Sequence, residues 1–403
     1  MVLPAQCLRF LQWCQRLAIG YNGAVRLLVC NYEFPPVGGG GGNACKYLAR
    51  EWVSRGHTVT VVTSNWVAER TDQTAEGARV IRVPVQRHRL DHTRIPELAA
   101  YVFEGRREIA RLARAAEEFD VVLSFFAVPS GLVGEKAAAL FRIPHVIRVG
   151  GGDIPGHEKR LGLFHQLLGP RIRALLSRAH ARVANSWGLK KRAECAFGLS
   201  FDVIENGVAL EEFTPDAQGP VHNPPVVLFV SRLIERKGLQ FLMPALASLG
   251  PDVGPWRLVV VGDGPRHEAL LSQAMELGLT DRIEWLGQVA HDELSAIYRR
   301  ADLFVLPSLS EGMPNVVLEA MASGLPILAT RVPGSEELVR DGDNGFLVPA
   351  GDIAALGETL SRLLGDANLR RRMGLKSREF VSAYTWSSLA ERYLDLVQQV
   401  RNE

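Results

Sequence analysis

The alternation of short apolar runs with helix-length segments constrains this chain more than any other feature. An apolar run at residues 25–31 precedes a glycine-rich turn at 38–42, a predicted helix at about 43–55 and a second apolar run at 57–63. A strand, a glycine turn, a helix and a strand in this order form a βαβ unit, and such units build parallel sheets. The N-terminal half is therefore predicted to be an α/β structure.

The alternation continues to about residue 213 and restarts at residue 226. The residues between them include Gly219, Pro220, Pro224 and Pro225, a composition typical of an interdomain linker. Two α/β lobes on one linker face each other across a cleft, and ligands of such sheets bind beyond the carboxyl ends of the strands. The predicted organisation is an N-terminal extension at 1–24, a first lobe at 25–213, the linker at 214–225, a second lobe at 226–382 and a final helical segment at 383–403.

Composition and charge narrow the class of protein. The chain has 403 residues, of which 47% are apolar and 22% charged, as expected for a globular protein of two or three domains. Residues 1–220 carry 28 Lys and Arg against 21 Asp and Glu, a balance of +7, whereas the remainder carries 18 against 23, a balance of −5. The basic half favours an anionic membrane surface or an acidic acceptor, and a merely solvated surface is the alternative. No nucleic-acid partner is predicted.

The cysteines and the apolar segments bear on location. The count of five cysteines is odd and no Cys-x-x-Cys pair occurs, so we expect reduced cytosolic thiols rather than a zinc site or a disulfide framework. No run of about 18 apolar residues is present, so no membrane-spanning helix is expected. Arg9 and Arg16 interrupt the apolar residues near the start, which leaves an amphipathic surface helix or an extension from an upstream start codon as interpretations.

The segment at 307–319 carries the strongest chemical signal. A predicted strand ends near Pro307, a loop carries Glu311, and a helix that begins near Pro314 contains Glu319. The first turn of a helix offers backbone N–H groups and the positive end of the helix dipole, which suit a diphosphate. Glu319 can point back toward the same cleft, so one carboxylate can bind sugar hydroxyls and the other a ribose. The alternative is a surface loop followed by an ordinary helical glutamate.

This segment resembles the donor-site motif of glycosyltransferase family 4, whose members are retaining enzymes with the GT-B fold. The family motif has two glutamates eight positions apart with Gly and Pro between them, followed by a helix and an Ala-Ser-Gly-x-Pro turn. The resemblance extends from about residue 25 to the C-terminus. The matching residues are Glu311, Gly312, Pro314, Glu319, Ala322, Ser323, Gly324 and Pro326.

The resemblance implies a fold and a set of roles. It implies two Rossmann-like lobes whose parallel sheets face a cleft, with a last helix near residues 387–400 that crosses back to the first lobe. Glu311 would contact the transferred sugar and support charge at its anomeric carbon, and Glu319 would hold the ribose. Backbone groups between these glutamates would meet sugar hydroxyls and phosphate. The donor-binding residues implied there are Gly312, Met313, Pro314, Asn315 and Val316.

A basic turn follows the first predicted strand of the second lobe. Arg232 and Lys237 can place two cations on one diphosphate and stabilise the charge that the leaving group gains as the glycosidic bond breaks. The family uses both residues, whereas Arg236 is the less favoured participant, and a solvated basic turn is the alternative. Because these cations replace a metal ion, no metal is predicted. The Asp-Gly-Asp run at 341–343 is interpreted as a tight turn.

Three further turns are assigned to the donor. Gly264 follows a predicted strand and either approaches the nucleotide or only joins strand to helix. In the family, the backbone near Val289 meets the edge of the nucleobase. Gly38 and Gly39 belong to a segment that resembles the family's Pro-Pro-x-x-Gly-Gly, where glycine lets the backbone approach a phosphate or the donor sugar. A flexible loop is the alternative there.

One departure from the family pattern concerns the first lobe. Many members have His-Gly-x-Asp after the strand that follows Ile-Pro, but here Gly150 stands at the position of the histidine. Asp153 matches the aspartate, and Arg148 and Asp153 become candidates for acceptor-side roles. A structural ion pair between them is the alternative. Asn206 and Gly207 are interpreted mainly as a turn.

The predicted protein is a retaining glycosyltransferase that moves a sugar from a nucleotide diphosphate sugar to a hydroxyl of a glycan, a lipid-linked glycan or a small molecule. No cofactor is predicted besides this donor. We expect a cytoplasmic enzyme of polysaccharide biosynthesis, either free or peripheral on the inner face of the membrane. The rival interpretations are a nucleotide-sugar epimerase of similar fold and a non-catalytic nucleotide-sugar-binding protein. A dehydrogenase is disfavoured because the first glycine turn lacks the GxGxxG pattern followed by an acidic ribose ligand.

Overall fold

A computed structural model of the chain describes residues 23–88, 93–155, 162–216 and 222–402. These residues form two lobes, and in each lobe a mostly parallel β-sheet packs against helices. Residues 1–22 of the predicted N-terminal extension and residues 217–221 of the predicted linker lie outside the described residues. The architecture confirms the predicted α/β fold with two Rossmann-like lobes.

Strands and helices alternate along the N-terminal lobe. The strands are β1 (Arg26–Cys30), β2 (Thr58–Ser64), β3 (Thr71–Ala75), β4 (Ala78–Val83), β5 (Val121–Phe125), β6 (His145–Val149), β7 (Ala181–Ala184) and β8 (Asp202–Val203). The helices are α1 (Gly40–Ser54), α2 (Ile95–Arg114), α3 (Leu132–Phe141), α4 (Gly162–Arg178) and α5 (Trp187–Phe197). The strand order is β3-β4-β2-β1-β5-β6-β7-β8, so β1 and β5 lie at the centre of the sheet.

The composition of these strands follows their burial. The central strands β1 and β5 are mostly apolar and buried, because helices cover both faces of a parallel sheet. Strand β3 is different: it reads Thr-Asp-Gln-Thr-Ala, is largely exposed and runs antiparallel to β4 at the edge. Sequence analysis did not predict β3, because hydrophobic periodicity cannot reveal a strand that buries neither of its faces.

The C-terminal lobe has six parallel strands, which are β9 (Val226–Val230), β10 (Arg257–Val261), β11 (Ile283–Gly287), β12 (Leu303–Leu306), β13 (Ile327–Thr330) and β14 (Gly345–Val348). Its helices are α6 (Leu239–Ala247), α7 (His267–Glu276), α8 (Leu294–Arg299), α9 (Asn315–Ala322), α10 (Ser335–Leu338), α11 (Ile353–Gly365) and α12 (Ala367–Val381). The strand order β11-β10-β9-β12-β13-β14 is the doubly wound order of a Rossmann sheet. The order reverses between β9 and β12, and a crevice opens at the carboxyl ends of these two strands.

The last helix, α13 (Trp386–Asn402), returns to the N-terminal lobe. Trp386 stacks on Tyr47 of α1 with ring centroids 5.5 Å apart, and the indole nitrogen of Trp52 donates to the carbonyl of Ala390 at 3.2 Å. The buried apolar side chains of α13 belong to the same core cluster as those of α1. Burial of each large apolar side chain stabilises the fold by about 1.5–3 kcal/mol. The predicted return of the last helix is confirmed.

Candidate active site between the two lobes

The carboxyl ends of β9 and β12 bring the predicted cation and carboxylate together. Lys237 follows β9 and Glu311 follows β12, and the ammonium nitrogen of Lys237 lies 2.6 Å from Oε1 of Glu311. The hydroxyl of Ser308 donates to the same oxygen at 2.6 Å. The Lys237 and Glu311 side chains are only 12% and 6% exposed. A fixed ion pair therefore lies where the strand order of the sheet reverses.

Two glycines allow the loops around this pair to approach each other. Gly238 has a φ of +79°, and a Cβ at this position would overlap the carbonyl oxygen of Pro307 at the end of β12. Gly262 has a φ of +126° and packs in the same way on the carbonyl oxygen of Ser231. Only glycine combines these backbone angles with so close a contact. The two glycines therefore fix the basic loop after β9 against its neighbours.

Two arginines accompany Lys237. Burial lowers the pKa of Lys237, and the nearby charges of Arg236 and Arg232 lower it further, against the opposing effect of Glu311. Arg232 is exposed at the start of the loop. Arg236 donates to the carbonyl of Ser310 at 2.7 Å, and it approaches Oε2 of Glu311 to 3.7 Å. Sequence analysis disfavoured Arg236, but the structure places it beside the same carboxylate as Lys237.

Glu311 is ionised at neutral pH. Burial pushes its pKa up, but the charges of Lys237 and Arg236 and the hydrogen bonds from Lys237 and Ser308 outweigh burial and hold the pKa below its ordinary value. A carboxylate that stays ionised does not donate a proton to a leaving group. Its chemical contribution is a fixed negative charge and a hydrogen-bond acceptor. Lys237 and Arg236 together leave an excess of positive charge beside this one carboxylate, which suits a diphosphate.

The second carboxylate lies in α9 beside two ring-bearing side chains. Nε2 of His291 is 3.1 Å from Oε1 of Glu319, and the hydroxyl of Tyr298 donates to Oε2 at 3.0 Å. Burial lowers the pKa of His291, but its contact with Glu319 outweighs burial, and the pKa is raised. Val289 precedes His291 in the loop after β11, so this loop lies beside Glu319. Sequence analysis missed His291 and Tyr298 because no spacing rule connects residues 28 and 21 positions apart.

The first turn of α9 also contacts the N-terminal lobe. The amide of Asn315 donates to the carbonyl of Gly40 at 3.3 Å, and its oxygen accepts a hydrogen bond from Asn206 at 2.5 Å. Asn206 also donates to the carbonyl of Met313 at 3.3 Å. The predicted turn at Asn206 and Gly207 is therefore wrong, because these residues lie in an irregular segment and Asn206 bridges the lobes.

The other predicted donor residues lie around the same opening. Gly38 has a φ of +102°, and the backbone nitrogen of Gly39 donates to Oε2 of Glu33 at 3.3 Å, in the turn that leads into α1. Gly264 packs against the backbone of Leu233 in the basic loop. The loop before α9 and its first turn contain the remaining members, which are Gly312, Met313, Pro314, Asn315 and Val316. Their contacts with a donor stay a prediction.

Arg148 and Asp153, both among the described residues, are buried and do not form an ion pair with each other. Arg148 donates to the side-chain oxygen of Asn206. Asp153 accepts hydrogen bonds from the backbone nitrogens of Gly150 at 2.8 Å and Val128 at 3.2 Å. Burial raises the pKa of Asp153 to about 6. Arg148 therefore supports Asn206 behind the cleft, and Asp153 shapes the turn after β6.

A carboxylate of the C-terminal lobe caps a helix of the N-terminal lobe. Glu337 of α10 accepts hydrogen bonds from the backbone nitrogens of Trp187 at 2.9 Å and Gly188 at 2.8 Å, in the first turn of α5. Amides of a first turn have no partner within their own helix, and the helix dipole favours a carboxylate there. Arg192, one turn further along α5, donates to Ser310 at 3.3 Å. The lobes are therefore joined on this side of the cleft.

The described part of the chain contains neither a candidate metal-ligand cluster nor a candidate membrane-spanning helix. Residues 23–402, with their three gaps, contain no group of three or more His, Cys, Asp or Glu that could hold a metal ion. The prediction that no metal takes part stays a prediction. Asp341 accepts a hydrogen bond from the backbone of Leu347 at 3.0 Å, and Gly342 has a φ of +83°, so the Asp-Gly-Asp run forms the predicted turn. No helix within the described ranges has both the length and the apolarity needed to cross a bilayer.

The cleft places a basic loop and an ionised carboxylate at the switch point of a Rossmann sheet, with a second lobe facing them. This arrangement is that of a GT-B glycosyltransferase, which takes its sugar from a nucleotide sugar. The chain belongs to glycosyltransferase family 4. A family model described as glycosyl transferases group 1 matches residues 211–380, and one described as Glycosyltransferase Family 4 matches residues 38–212.

Relatives and solved structures agree with this assignment. The GDP-mannose-dependent alpha-(1-6)-phosphatidylinositol monomannoside mannosyltransferase of Mycobacterium tuberculosis is 29% identical over 402 residues, which cover 93% of this chain and 98% of the relative. The D-inositol 3-phosphate glycosyltransferase of Nocardia farcinica is 33% identical over 238 residues, which cover 55% of this chain and 53% of that protein. The structure of sucrose-phosphate synthase from Thermosynechococcus elongatus matches with a TM-score of 0.79 and 24% identity, over 94% of this chain and 99% of that one. This last likeness shows the shared fold.

Proposed function

We propose that the protein is a retaining mannosyltransferase that transfers mannose from GDP-mannose to a hydroxyl of a lipid-linked glycan. The observation that carries the proposal is the buried Lys237–Glu311 pair beside the first turn of α9. The Mycobacterium tuberculosis relative, similar over nearly the whole of both chains, is named for GDP-mannose and an alpha linkage. The mannose of GDP-mannose is α-linked, so an α-linked product corresponds to retention of configuration.

The cations of the C-terminal lobe would stabilise the leaving diphosphate. The lowered pKa of Lys237 reflects its burial and the repulsion of Arg236 and Arg232. A bound diphosphate relieves that repulsion, and it does so most in the transition state, where the leaving group gains charge. The backbone N–H groups of the first turn of α9 face the same region and add the helix dipole.

The ionised Glu311 would support the sugar rather than deliver a proton. As the bond between the anomeric carbon and the phosphate oxygen breaks, the ring gains positive charge, which a nearby carboxylate stabilises. The acceptor oxygen then bonds to the anomeric carbon on the face that the phosphate leaves. The acceptor proton passes to the departing phosphate oxygen, so the nucleotide diphosphate acts as the base. Glu319, which contacts His291 and Tyr298, would accept hydrogen bonds from the ribose.

A lipid-linked acceptor requires the enzyme to reach a bilayer, and α2 offers a suitable surface. Phe103 is 63% exposed, and the side chains of Arg107 and Arg111, one and two turns further on, are 68% and 58% exposed. An exposed aromatic ring next to arginines suits the interface of an anionic membrane. We expect co-sedimentation with phosphatidylglycerol vesicles that is lost with Phe103→Ser and Arg107→Ser together. Equal binding to neutral phosphatidylcholine vesicles would contradict this membrane contact.

A ligand screen followed by product analysis tests the donor and the stereochemistry. GDP-mannose should raise the melting temperature more than UDP-glucose or ADP-glucose at equal concentration, because a ligand that binds only the folded state stabilises it. NMR of the product should show an α-linked mannose, and GDP release should depend on the acceptor. GDP-sugar turnover to a second nucleotide sugar without acceptor would identify an epimerase instead.

A further inference from the structure

Phe126 adopts an unusual backbone conformation at the mouth of the N-terminal sheet. It directly follows β5, one of the two central strands, and has a φ of +72° with a ψ of 136°. Residues other than glycine rarely adopt a positive φ, because the side chain clashes with the backbone. Such residues persist where the surroundings hold them and are concentrated at functional sites. The backbone conformation of Phe126 therefore indicates a functional role for this residue.

Two glycines make room for the Phe126 ring. A Cβ added to Gly41, in the first turn of α1, would lie 2.6 Å from Cζ of the ring. A Cβ added to Gly150, after β6, would lie 2.6 Å from Cδ1 on the opposite edge. Both distances are far below van der Waals contact. The ring is therefore inserted between two positions at which any other residue would displace it.

The ring lies on the cleft side of the N-terminal lobe and is only partly buried. Tyr32 packs beside it with ring centroids 5.2 Å apart. Oε2 of Glu33 would lie 3.5 Å from a Cβ on Gly41, so this carboxylate flanks the same position as the ring. The neighbouring residue Gly40 accepts the hydrogen bond from Asn315 of α9. The ring thus lies close to the point where the glycine turn meets the donor-side helix.

These features are those of a surface that binds a sugar ring. An aromatic face carries partial negative charge and attracts the C–H groups on the apolar face of a pyranose. A carboxylate at the edge of the ring can accept hydrogen bonds from the hydroxyls of the same sugar. The Phe126 ring packs against the core of the N-terminal lobe with part of its surface and leaves the rest accessible.

We infer that Phe126 determines acceptor specificity by stacking against the pyranose ring that the acceptor carries. This inference rests on the proposed function and adds the residue that recognises the acceptor sugar. It also explains the glycine at position 150: the space that a histidine side chain would enter is already filled by the Phe126 ring.

Two single variants test the stacking. Phe126→Leu keeps an apolar side chain of similar size but removes the aromatic face, and Phe126→Tyr keeps that face. We expect Phe126→Leu to raise the KM for the acceptor about fivefold to tenfold while the KM for the nucleotide sugar stays within about twofold, as expected for loss of one aromatic contact. Phe126→Tyr should have the same KM for the acceptor as the wild type. An unchanged acceptor KM in Phe126→Leu, or a rise confined to the donor KM, would overturn the inference.

A paired exchange tests the geometry independently of activity. Gly150→His should lower the melting temperature, because its Cβ enters the ring of Phe126. Adding Phe126→Gly to Gly150→His should recover most of that loss, since glycine accepts the positive φ and vacates the space. If the double variant is no more stable than Gly150→His alone, the two side chains do not compete for one space. If the wild-type protein transfers no sugar from any nucleotide, the proposed function fails, whereas this exchange still reports on the packing.

Discussion

The two walls of the cleft differ in the chemistry of the groups that they present to it. The C-terminal wall is charged: Lys237, Arg236 and Glu311 form a fixed ionic group, and Glu319 is held by His291. The N-terminal wall presents a glycine turn, the half-buried carboxylate of Glu33 and the aromatic ring of Phe126, while Arg148 and Asp153 are buried behind the surface. One wall is suited to recognition by charge and the other to recognition by shape.

This contrast explains how one fold can serve many acceptors. A nucleotide diphosphate carries the same charges in every donor, so a rigid ionic group recognises it with little reorganisation. Acceptor sugars differ mainly in outline, and a surface of glycine backbone and one ring changes its shape with few substitutions. Removing parts of the charged wall should therefore affect turnover, and altering the other wall should affect acceptor choice.

The largest effect is expected from breaking the ionic group. Lys237→Met should lower kcat about 10²-fold to 10³-fold, because a fixed cation that stabilises the leaving group is lost. It should also destabilise the protein by about 3–5 kcal/mol, since Glu311 is left buried without its partner. Steady-state release of nucleotide diphosphate and urea unfolding measure the two effects.

A double variant separates these effects. Lys237→Met combined with Glu311→Gln removes both charges, so it should regain much of the stability while the activity remains lost. Glu235→Gln, an exposed neighbour in the same loop, is the matched control and should behave as the wild type. Recovery of activity in the double variant would show that Lys237 acts only by neutralising Glu311.

A smaller effect is expected where the two walls are joined. Glu337→Ala removes the carboxylate that accepts hydrogen bonds from Trp187 and Gly188 of the other lobe. A hydrogen bond to a charged group contributes about 1.5–3 kcal/mol, so the closed arrangement should become less populated. We expect a tenfold or greater rise in the KM values for donor and acceptor together and a larger radius of gyration in small-angle X-ray scattering. Glu336→Ala, at the exposed adjacent position, is the control, and identical values in both variants would exclude a role in closure.

The smallest effect concerns pH and the second carboxylate. The pKa of His291 is raised, since the contact with Glu319 outweighs burial. The native state therefore holds this proton more tightly than the unfolded chain does. The resulting stabilisation is fully present below the ordinary pKa of about 6.5 and disappears as the pH rises through the raised value. The difference in unfolding free energy between the wild type and His291→Asn should be under about 1 kcal/mol and larger at pH 6 than at pH 9.

Glu319→Gln provides the control for this pH dependence. In that background the larger effect of His291→Asn at low pH should disappear or reverse, because burial still lowers the pKa of His291 once the Glu319 charge is gone. An effect that stays larger at pH 6 than at pH 9 without Glu319 would assign the proton to another group. Thermal unfolding across the pH range gives the stability of the wild type, His291→Asn, Glu319→Gln and the double variant.

The residues of the charged C-terminal wall were easier to predict from the sequence than those of the N-terminal wall. Arg232, Lys237, Glu311 and Glu319 could be identified because the two segments that contain them resemble motifs of glycosyltransferase family 4. The position of Phe126 could not be predicted, because it depends on space left by glycines 85 residues before it and 24 residues after it. The polar edge strand β3 was missed for a related reason, since neither of its faces is buried.

Contacts between the lobes were also beyond sequence reasoning. Asn206 was interpreted as a turn residue because Asn-Gly is a strong local signal, yet its side chain bonds to Asn315, 109 positions away. Local chemistry predicts turns and helix starts, but it contains no information about which distant backbone carbonyl an amide will meet. The fold class was predictable because alternating strands and helices repeat throughout the chain.

The segment that precedes the interlobe linker lies next to the segment that leads into α13. The backbone nitrogen of Val208, in the first of these segments, donates at 2.8 Å to the carbonyl of Tyr384, just before α13 begins. Two adjacent chain segments joined by a hydrogen bond bend more easily about the line on which they lie than they twist around each other. We therefore expect the two lobes to open by rotation about a single line and to close again in the same alignment.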